Sequence, residues 1–354
     1  MNMPTPESIT PDWLTEQLRR AGHTATVKSF TRTSVGTGQI GKCIRFELEL
    51  IGDDAPRSLI GKFASDDAIS RATGVQLRNY YREVSFYREL APKVSISLPR
   101  CYYADILDEG PDFVLILEDL RPARQGDQLA GCSPAVARSS VLELVGLQAP
   151  TWCDQTLRRF DWLGEPPVSP TLSLMNTYAQ LLPAFIDRYG HRLADDERRI
   201  ITRVATSPQC PLYAPPAEIF CLEHVDYRLD NMLIDERTSP PRVSVVDWQS
   251  VKIGKPLNDV AYFLGAGLLP EVRREVEAGI VRDYHAALQA AGVSGLTWDR
   301  CWLDYRRGSF AGFGVTVIAS MIVQQTPRGD DMFVTMARRH SRHALDVGAE
   351  QFLD

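Results

Sequence analysis

Three oxygen-bearing side chains in the second half of the sequence have types and spacing that suit phosphoryl transfer. Asp226 and Asn231 belong, with His224, to the pattern H-x-D-x-x-x-x-N, and Asp247 follows two short apolar runs. Phosphoryl transfer needs a carboxylate that orients an attacking hydroxyl and accepts its proton, and oxygen ligands that hold Mg²⁺ on the nucleotide phosphates. Asp226 suits the first role, whereas Asn231 and Asp247 suit the second. Each is also an ordinary turn residue, so the interpretation depends on their joint spacing.

A β-hairpin is the element that must position these side chains. Residues 232–234 and 243–246 are apolar runs, and the polar segment between them contains two prolines. This pattern predicts a two-stranded ribbon, which would bring Asn231 at its start close to Asp247 at its end.

The segment resembles the catalytic and metal-binding motifs of the aminoglycoside phosphotransferase and ecdysteroid kinase-like families, which are small-molecule kinases with a protein-kinase-like fold. Their loop is usually H-G-D-x-x-x-x-N, and Val225 stands where the glycine is usual. The Asp-Trp-Gln sequence at Asp247 and residues 254–264 resemble the ecdysteroid kinase-like branch more closely. The resemblance implies that His224 braces the loop and that Asp259 anchors it.

Composition and charge limit the kind of protein. The 354 residues are enough for two domains or lobes, and 44% hydrophobic with 24% charged residues is ordinary for a soluble globular protein. A formal net charge of −6 argues against a nucleic-acid partner, which favours a basic face. The seven cysteines show no C-x-x-C spacing, so reduced thiols in the cytoplasm are the simplest interpretation. We expect neither a signal peptide nor membrane insertion.

Gly36, Gly38 and Gly41 form a G-x-G-x-x-G motif after a predicted strand at 27–35. A dinucleotide-binding fingerprint would require a helix directly after the last glycine. Residues 42–50 instead alternate between apolar and polar side chains, which predicts a strand. The motif therefore fits a kinase phosphate loop or a plain hairpin turn, and the catalytic segment downstream favours the phosphate loop.

Lys62 lies in a predicted apolar strand at 58–64, where a lysine needs a partner or must extend to water. In a kinase-like fold this lysine contacts the α- and β-phosphates and pairs with a glutamate of the next helix. Glu83, on a helix predicted over 73–90, is the best candidate, although Glu89 lies nearby and both could be solvated.

Two further strands are predicted at 94–105 and 112–117, and the second ends at Glu118. In kinase-like folds this place is the hinge, where backbone groups meet the adenine edge. We therefore assign Glu118 and Leu120 to nucleotide binding, although acidic side chains here also fit a solvated strand end.

The remaining chain is mostly helical by apolar periodicity. The expected helices cover residues 133–147, 172–189, 195–205, 258–268, 270–291, 299–323 and 330–352. Arg228 could contact phosphate or substrate, or simply face solvent. Gln148 stands where relatives often have histidine, and a structural role is its safer interpretation. Asp330 and Asp331 could contact a cationic substrate, but a solvated helix cap is the simpler interpretation.

Together the motifs predict an α+β, two-lobed protein-kinase-like fold with an antiparallel-sheet ATP-binding lobe at 1–118 and a larger helical catalytic and acceptor-binding lobe at 119–354. The resemblance implies an ATP- and Mg²⁺-dependent phosphotransferase that acts on a hydroxyl of a small-molecule alcohol. The alternatives are a catalytically silent nucleotide-binding protein of this fold and a nicotinamide-dependent oxidoreductase built on the glycine motif.

Overall fold

The computed structural model describes residues 3–36, 40–164, 174–215 and 218–354. The chain divides into two compact units. The first comprises Met1–Lys93, Leu98–Pro122 and Val246–Ser250, and the second comprises Val94–Ser97, Ala123–Val245 and Val251–Asp354. The predicted functional boundary between residues 118 and 119 stays a prediction.

The first unit is built on a five-stranded antiparallel sheet with the strand order β1-β2-β3-β5-β4. Its elements are α1 (Pro11–Arg20), β1 (Thr26–Val35), β2 (Gly41–Ile51), β3 (Ser58–Ala64), α2 (Ala68–Gln76), α3 (Asn79–Ser85), β4 (Cys101–Ile106) and β5 (Phe113–Glu118). The period-two pattern explains the sheet, because alternate side chains such as Phe46 and Leu48 enter one core with Leu14 and Leu18 of α1.

The second unit is mostly helical. Its elements are β6 (Arg124–Gln125), α4 (Pro134–Gln148), α5 (Leu174–Tyr189), α6 (Asp195–Thr206), β7 (Cys221–Glu223), β8 (Met232–Asp235), β9 (Arg242–Val245), β10 (Lys252–Gly254), α7 (Pro256–Gly267), α8 (Pro270–Ala290), α9 (Trp298–Gly308), α10 (Ala311–Gly314), α11 (Ser320–Ile322) and α12 (Pro327–Asp346). The predicted ribbon is present, since β8 and β9 pair antiparallel from Met232 with Val245 to Asp235 with Arg242. None of the described helices is long and apolar enough to cross a membrane.

The helix predicted over 73–90 ends at Leu90 as expected, because π-helical residues Phe86–Leu90 continue α3, but it is not one continuous helix. The chain forms α2 and α3, separated at Arg78, which has a left-handed φ of 58°. The Arg78 guanidinium pairs with Glu109 at 2.9 Å and lies 5.0 Å from the centre of the Tyr81 ring. The left-handed backbone at Arg78 interrupts the helix. The helical spacing of apolar residues continues across this break, so the sequence pattern does not reveal it.

Three other bounds also differ from the predictions. The strand predicted at 94–105 begins only at Cys101, after Pro99, which lacks a backbone donor. The predicted helix 299–323 is divided after Gly308, where a Cβ would lie 2.7 Å from the Leu257 carbonyl. The helix predicted over 330–352 runs from Pro327 to Asp346, and Gly348 follows it with φ 62°.

Candidate active site

A buried ion cluster in the first unit surrounds Lys62. Its Nζ donates to Glu83 at 2.7 Å and to Oδ1 of Asp247 at 2.8 Å. The Lys62 side chain is 12% exposed and that of Glu83 only 2%. Burial alone would lower the pKa of Lys62, but the charges of Asp247 and Glu83 raise it above its ordinary value. The ammonium is therefore ionised, and the predicted Lys62–Glu83 pair is present.

Local contacts within the first unit place Asp247 in this cluster. The Trp248 ring stacks on Phe86 with centroids 4.0 Å apart, and the side chain of Asn79 donates to the Gln249 carbonyl at 3.1 Å. Asp247 itself has φ 68°, a left-handed conformation that aspartate tolerates better than most residues. Residues 246–250 are thus held against α3, which also carries Glu83.

The glycine motif is followed by a strand rather than a helix, since β2 begins at Gly41. A Cβ at Gly41 would lie 3.1 Å from the Phe63 carbonyl and 3.3 Å from Cε of Lys62, so the backbone approaches the lysine closely. Gly36 has φ 79°, while Gly38 lies outside the described residues. The strand does not fit the dinucleotide fingerprint, which needs a helix there.

The predicted hinge residues differ in how their backbone is used. The Glu118 N–H donates to the Arg100 carbonyl at 2.9 Å, and its carboxylate accepts from the Arg100 N–H at 3.1 Å. Asp119 accepts from Arg45 at 2.7 Å and from Ser58 at 2.8 Å, which fixes the segment to the sheet. The backbone of Leu120 forms no hydrogen bond with the described residues, so its N–H and C=O are free for a ligand.

Asp226 in the second unit is held by three donors. Arg228 Nε donates to both carboxylate oxygens at 2.9 and 3.0 Å, Tyr262 donates to Oδ1 at 2.9 Å, and Asn231 Nδ2 donates to Oδ2 at 2.9 Å. Burial alone would raise the pKa of Asp226, but the charge and hydrogen bonds of Arg228, with the bond from Tyr262, lower it below its ordinary value. Asp226 is therefore an oriented, ionised carboxylate.

The backbone before Asp226 is fixed by Asp259 of α7. Its carboxylate accepts from the N–H groups of His224 at 2.7 Å and Val225 at 2.9 Å, which is the anchoring role that the resemblance implies. Val225 has φ 75°. A β-branched residue rarely adopts this left-handed conformation, which glycine adopts freely. This left-handed backbone explains why the family motif usually has a glycine at the position of Val225.

Asn231 and Asp247 offer the hard oxygen atoms that Mg²⁺ prefers. Asn231 Nδ2 also donates to the backbone carbonyl of Asp226 at 2.9 Å. The side-chain oxygen of Asn231, Oδ1, accepts no hydrogen bond from the described residues. Around Lys62, two carboxylates share one ammonium, so that cluster carries an excess of negative charge. Among the described residues, no group of three or more His, Cys, Asp or Glu side chains is arranged to hold a metal ion. The two predicted ligands fit Mg²⁺ by chemistry, and their role stays a prediction.

Sequence reasoning missed Tyr262 and left Arg228 undecided. Tyr262 belongs to none of the predicted site motifs, but it follows Asp259 by three positions on α7, a spacing that puts both side chains on one helix face. That spacing was the available signal. Gln148 is fully buried, donates to the Pro256 carbonyl at 2.9 Å and accepts from Tyr284, so it is structural as predicted.

Comparison with solved structures shows a protein-kinase-like fold. APH(2″)-IIIa, crystallised with GDP and kanamycin, aligns with a TM-score of 0.51 and 15% identity over 86% of this chain and 90% of that chain. Spectinomycin phosphotransferase APH(9)-Ia, crystallised with ADP and spectinomycin, aligns with a TM-score of 0.50 and 13% identity over 97% of this chain and 99% of that chain. Choline kinase from Cryptosporidium parvum Iowa II aligns with a TM-score of 0.50 and 10% identity over 91% of this chain and 89% of that chain.

A sequence-family model matches the middle part of the chain. Residues 171–293 match the model of the Ecdysteroid kinase-like family, a range that includes Asp226, Asn231, Asp247 and Asp259. No curated protein matches the chain by sequence. The family match and the structural neighbours confirm the predicted resemblance to the aminoglycoside phosphotransferase and ecdysteroid kinase-like small-molecule kinases.

Proposed function

We propose that this protein is an ATP- and Mg²⁺-dependent phosphotransferase that moves the γ-phosphate to a hydroxyl of a small-molecule alcohol. The observation that carries the proposal is the buried cluster of Lys62, Glu83 and Asp247, because it combines a fixed ammonium with an excess carboxylate. The ammonium suits phosphate oxygens, and the excess negative charge suits a divalent cation.

In this proposal Lys62 binds the nucleotide phosphates, and Glu83 keeps its ammonium oriented and charged. Gly36, Gly38 and Gly41 belong to the loop over the phosphates, and the free backbone of Leu120 with the neighbouring Glu118 meets the base. Asn231 and Asp247 are the residues that would hold Mg²⁺, which neutralises phosphate charge when bound.

Asp226 is the proposed general base. Its carboxylate orients the acceptor hydroxyl and takes its proton as the oxygen attacks the γ-phosphorus, and the bond from that phosphorus to the bridging oxygen breaks to release ADP. Arg228, Tyr262 and Asn231 fix the orientation of that carboxylate before the acceptor binds, so its positioning is established in the fold.

Nucleotide binding can be tested without knowing the acceptor. Calorimetric titration of the wild type with Mg·ATP should show saturable binding, and titration with NAD should show none. Lys62→Met should weaken ATP binding about tenfold or more, because a charge-assisted bond to phosphate contributes about 1.5–3 kcal/mol. Lys28→Met, which removes an exposed lysine paired with Glu49, serves as the control. Tighter binding of NAD than of ATP would favour the oxidoreductase alternative.

A further inference from the structure

The carboxylates near the catalytic loop in the second unit already have protein donors. Asp226 accepts from Arg228, Asn231 and Tyr262, as described above. Asp230 accepts from Arg228 at 2.9 Å, from Arg328 at 3.0 Å through two N–H groups, and from the Gln128 N–H at 3.0 Å. Both aspartates therefore sit in a continuous network with two guanidinium groups.

Two carboxylates at the start of α12 also have protein partners. Asp330 accepts from Tyr189 at 2.6 Å and from Gln325 at 2.7 Å, and Asp331 pairs with Arg192 at 2.7 Å. The helix itself is capped by Thr326, which accepts from the Gly329 N–H at 3.1 Å. The cap is therefore Thr326 and neither aspartate, while the Asp331 side chain is 56% exposed to solvent, as the sequence suggested.

This arrangement is unfavourable for an acceptor that carries ammonium groups. A cationic amine is bound by carboxylate oxygens, and to bind at Asp230, whose two oxygens already accept from Arg228, Arg328 and the Gln128 N–H, it would have to displace an existing donor. Displacing a guanidinium from Asp230, which is 6% exposed, leaves a charge without its partner and is costly. The surroundings of Asp230 are therefore better matched to a group that accepts hydrogen bonds than to a cationic donor.

Arg328 supplies unused donors at this place. Its Nη1 and Nη2 each give one N–H to Asp230, and no hydrogen bond of its Nε or of the other two N–H groups to the described residues is present. The Arg328 side chain is 43% exposed. Asp127 approaches it only to 3.8 Å, and Oδ1 of Asp127 already accepts from the Leu129 N–H at 2.9 Å. A guanidinium held in place on one edge and open on the other is a recognition element for a carboxylate or phosphate.

We propose that Arg328 determines acceptor specificity by binding an anionic group of the acceptor, so that the substrate is an alcohol bearing a carboxylate or phosphate and not an amine. This inference rests on the proposed phosphotransferase function. It differs from what the aminoglycoside and choline kinases above act on.

The test compares size-matched alcohols that differ in charge. Purified full-length protein with Mg·ATP is given hydroxy acids, phosphorylated alcohols, neutral diols and amino alcohols, and products are quantified by mass spectrometry. We expect kcat/KM for the best anionic alcohol to exceed that for its amino counterpart. Arg328→Gln should raise KM for the anionic alcohol roughly 10- to 100-fold with kcat little changed, the effect of losing one charge-assisted contact. Arg338→Gln, an exposed arginine of the same helix, should leave KM unchanged.

Preference of the wild type for amino alcohols, or an unchanged KM in Arg328→Gln, would overturn the inference while leaving the phosphotransferase proposal intact. If no alcohol is phosphorylated, the phosphotransferase proposal itself fails in this panel, and thermal shifts decide about the anion site. Stabilisation of the wild type by anionic alcohols, absent from Arg328→Gln, would then support the site, and equal shifts in both proteins would refute it.

Discussion

At the scale of single residues, Val225 shows how a departure from a family motif becomes strain. A left-handed backbone destabilises the folded state of an ordinary residue by about 1–2 kcal/mol. Glycine avoids this cost, but its greater freedom in the unfolded state lowers stability by about 0.5–1 kcal/mol. Since Val225 has φ 75°, Val225→Gly should raise the free energy of unfolding by up to about 1 kcal/mol. Val225→Ala removes the β-branch but keeps the Cβ, and should gain less than Val225→Gly. Urea denaturation of the three proteins checks this, and a glycine variant no more stable than the wild type would contradict the strain.

His340 is a second residue whose environment the sequence does not reveal. It is fully buried, and burial together with the charges of Arg339 and Arg273 lowers its pKa to about 3. Its ring lies 5.1 Å from that of Tyr262 and 6.4 Å from that of Phe313. Neither of its nitrogens has a hydrogen-bond partner among the described residues.

The low pKa of His340 predicts loss of stability in acid. An unfolded histidine titrates near 6.5, so between about pH 6.5 and pH 3 the unfolded state binds a proton that the folded state does not. Stability should therefore fall as pH decreases through this window and be unaffected by His340 above it. Denaturation midpoints measured from pH 7.5 to 4 should show a shallower decline in His340→Leu than in the wild type. Parallel curves would contradict this assignment.

At the scale of elements, α7 fixes the loop that contains Asp226 through two side chains one turn apart. Asp259 holds the loop backbone and Tyr262 holds the Asp226 carboxylate. Tyr262→Phe should lower kcat roughly tenfold, the effect of about 1.4 kcal/mol, with the KM for ATP unchanged because Lys62 and its partners are intact. Tyr284→Phe also removes a buried hydroxyl bond, to Gln148, and is the matched control. Equal losses in both variants would mean that Tyr262 acts only through stability.

The sequence predicts elements best where local pattern and final packing agree. The alternation in β2 and the apolar run of β5 specify strands whose neighbours then complete the sheet. The break at Arg78 leaves no mark in the apolar periodicity, and the residue that pairs with Arg78 there, Glu109, is distant in sequence. Likewise, φ at Val225 follows from the backbone bonds to Asp259, although the family's usual glycine pointed to that position.

At the scale of the whole molecule, the order of motifs along the chain predicts the kinase-like fold. Which residues belong to each compact unit is instead decided by tertiary contacts. Residues 246–250 belong to the first unit because Trp248 stacks on Phe86, although they lie deep in the second half of the sequence. No local pattern encodes such a contact. The pairing of Asp230 with Arg328 also escaped prediction, because it joins residues 98 positions apart.

The most direct test of the central claim is transfer of phosphate from Mg·ATP to a panel of hydroxylated small molecules, followed by mass spectrometry, with Asp226→Asn beside the wild type. We expect a phosphorylated product from the wild type and at least a hundredfold less from the variant, because removal of the general base costs about 10²–10⁴ in rate. ATP binding without product from the wild type would favour the catalytically silent alternative. Equal product from both proteins would contradict the role of Asp226 and the proposed mechanism.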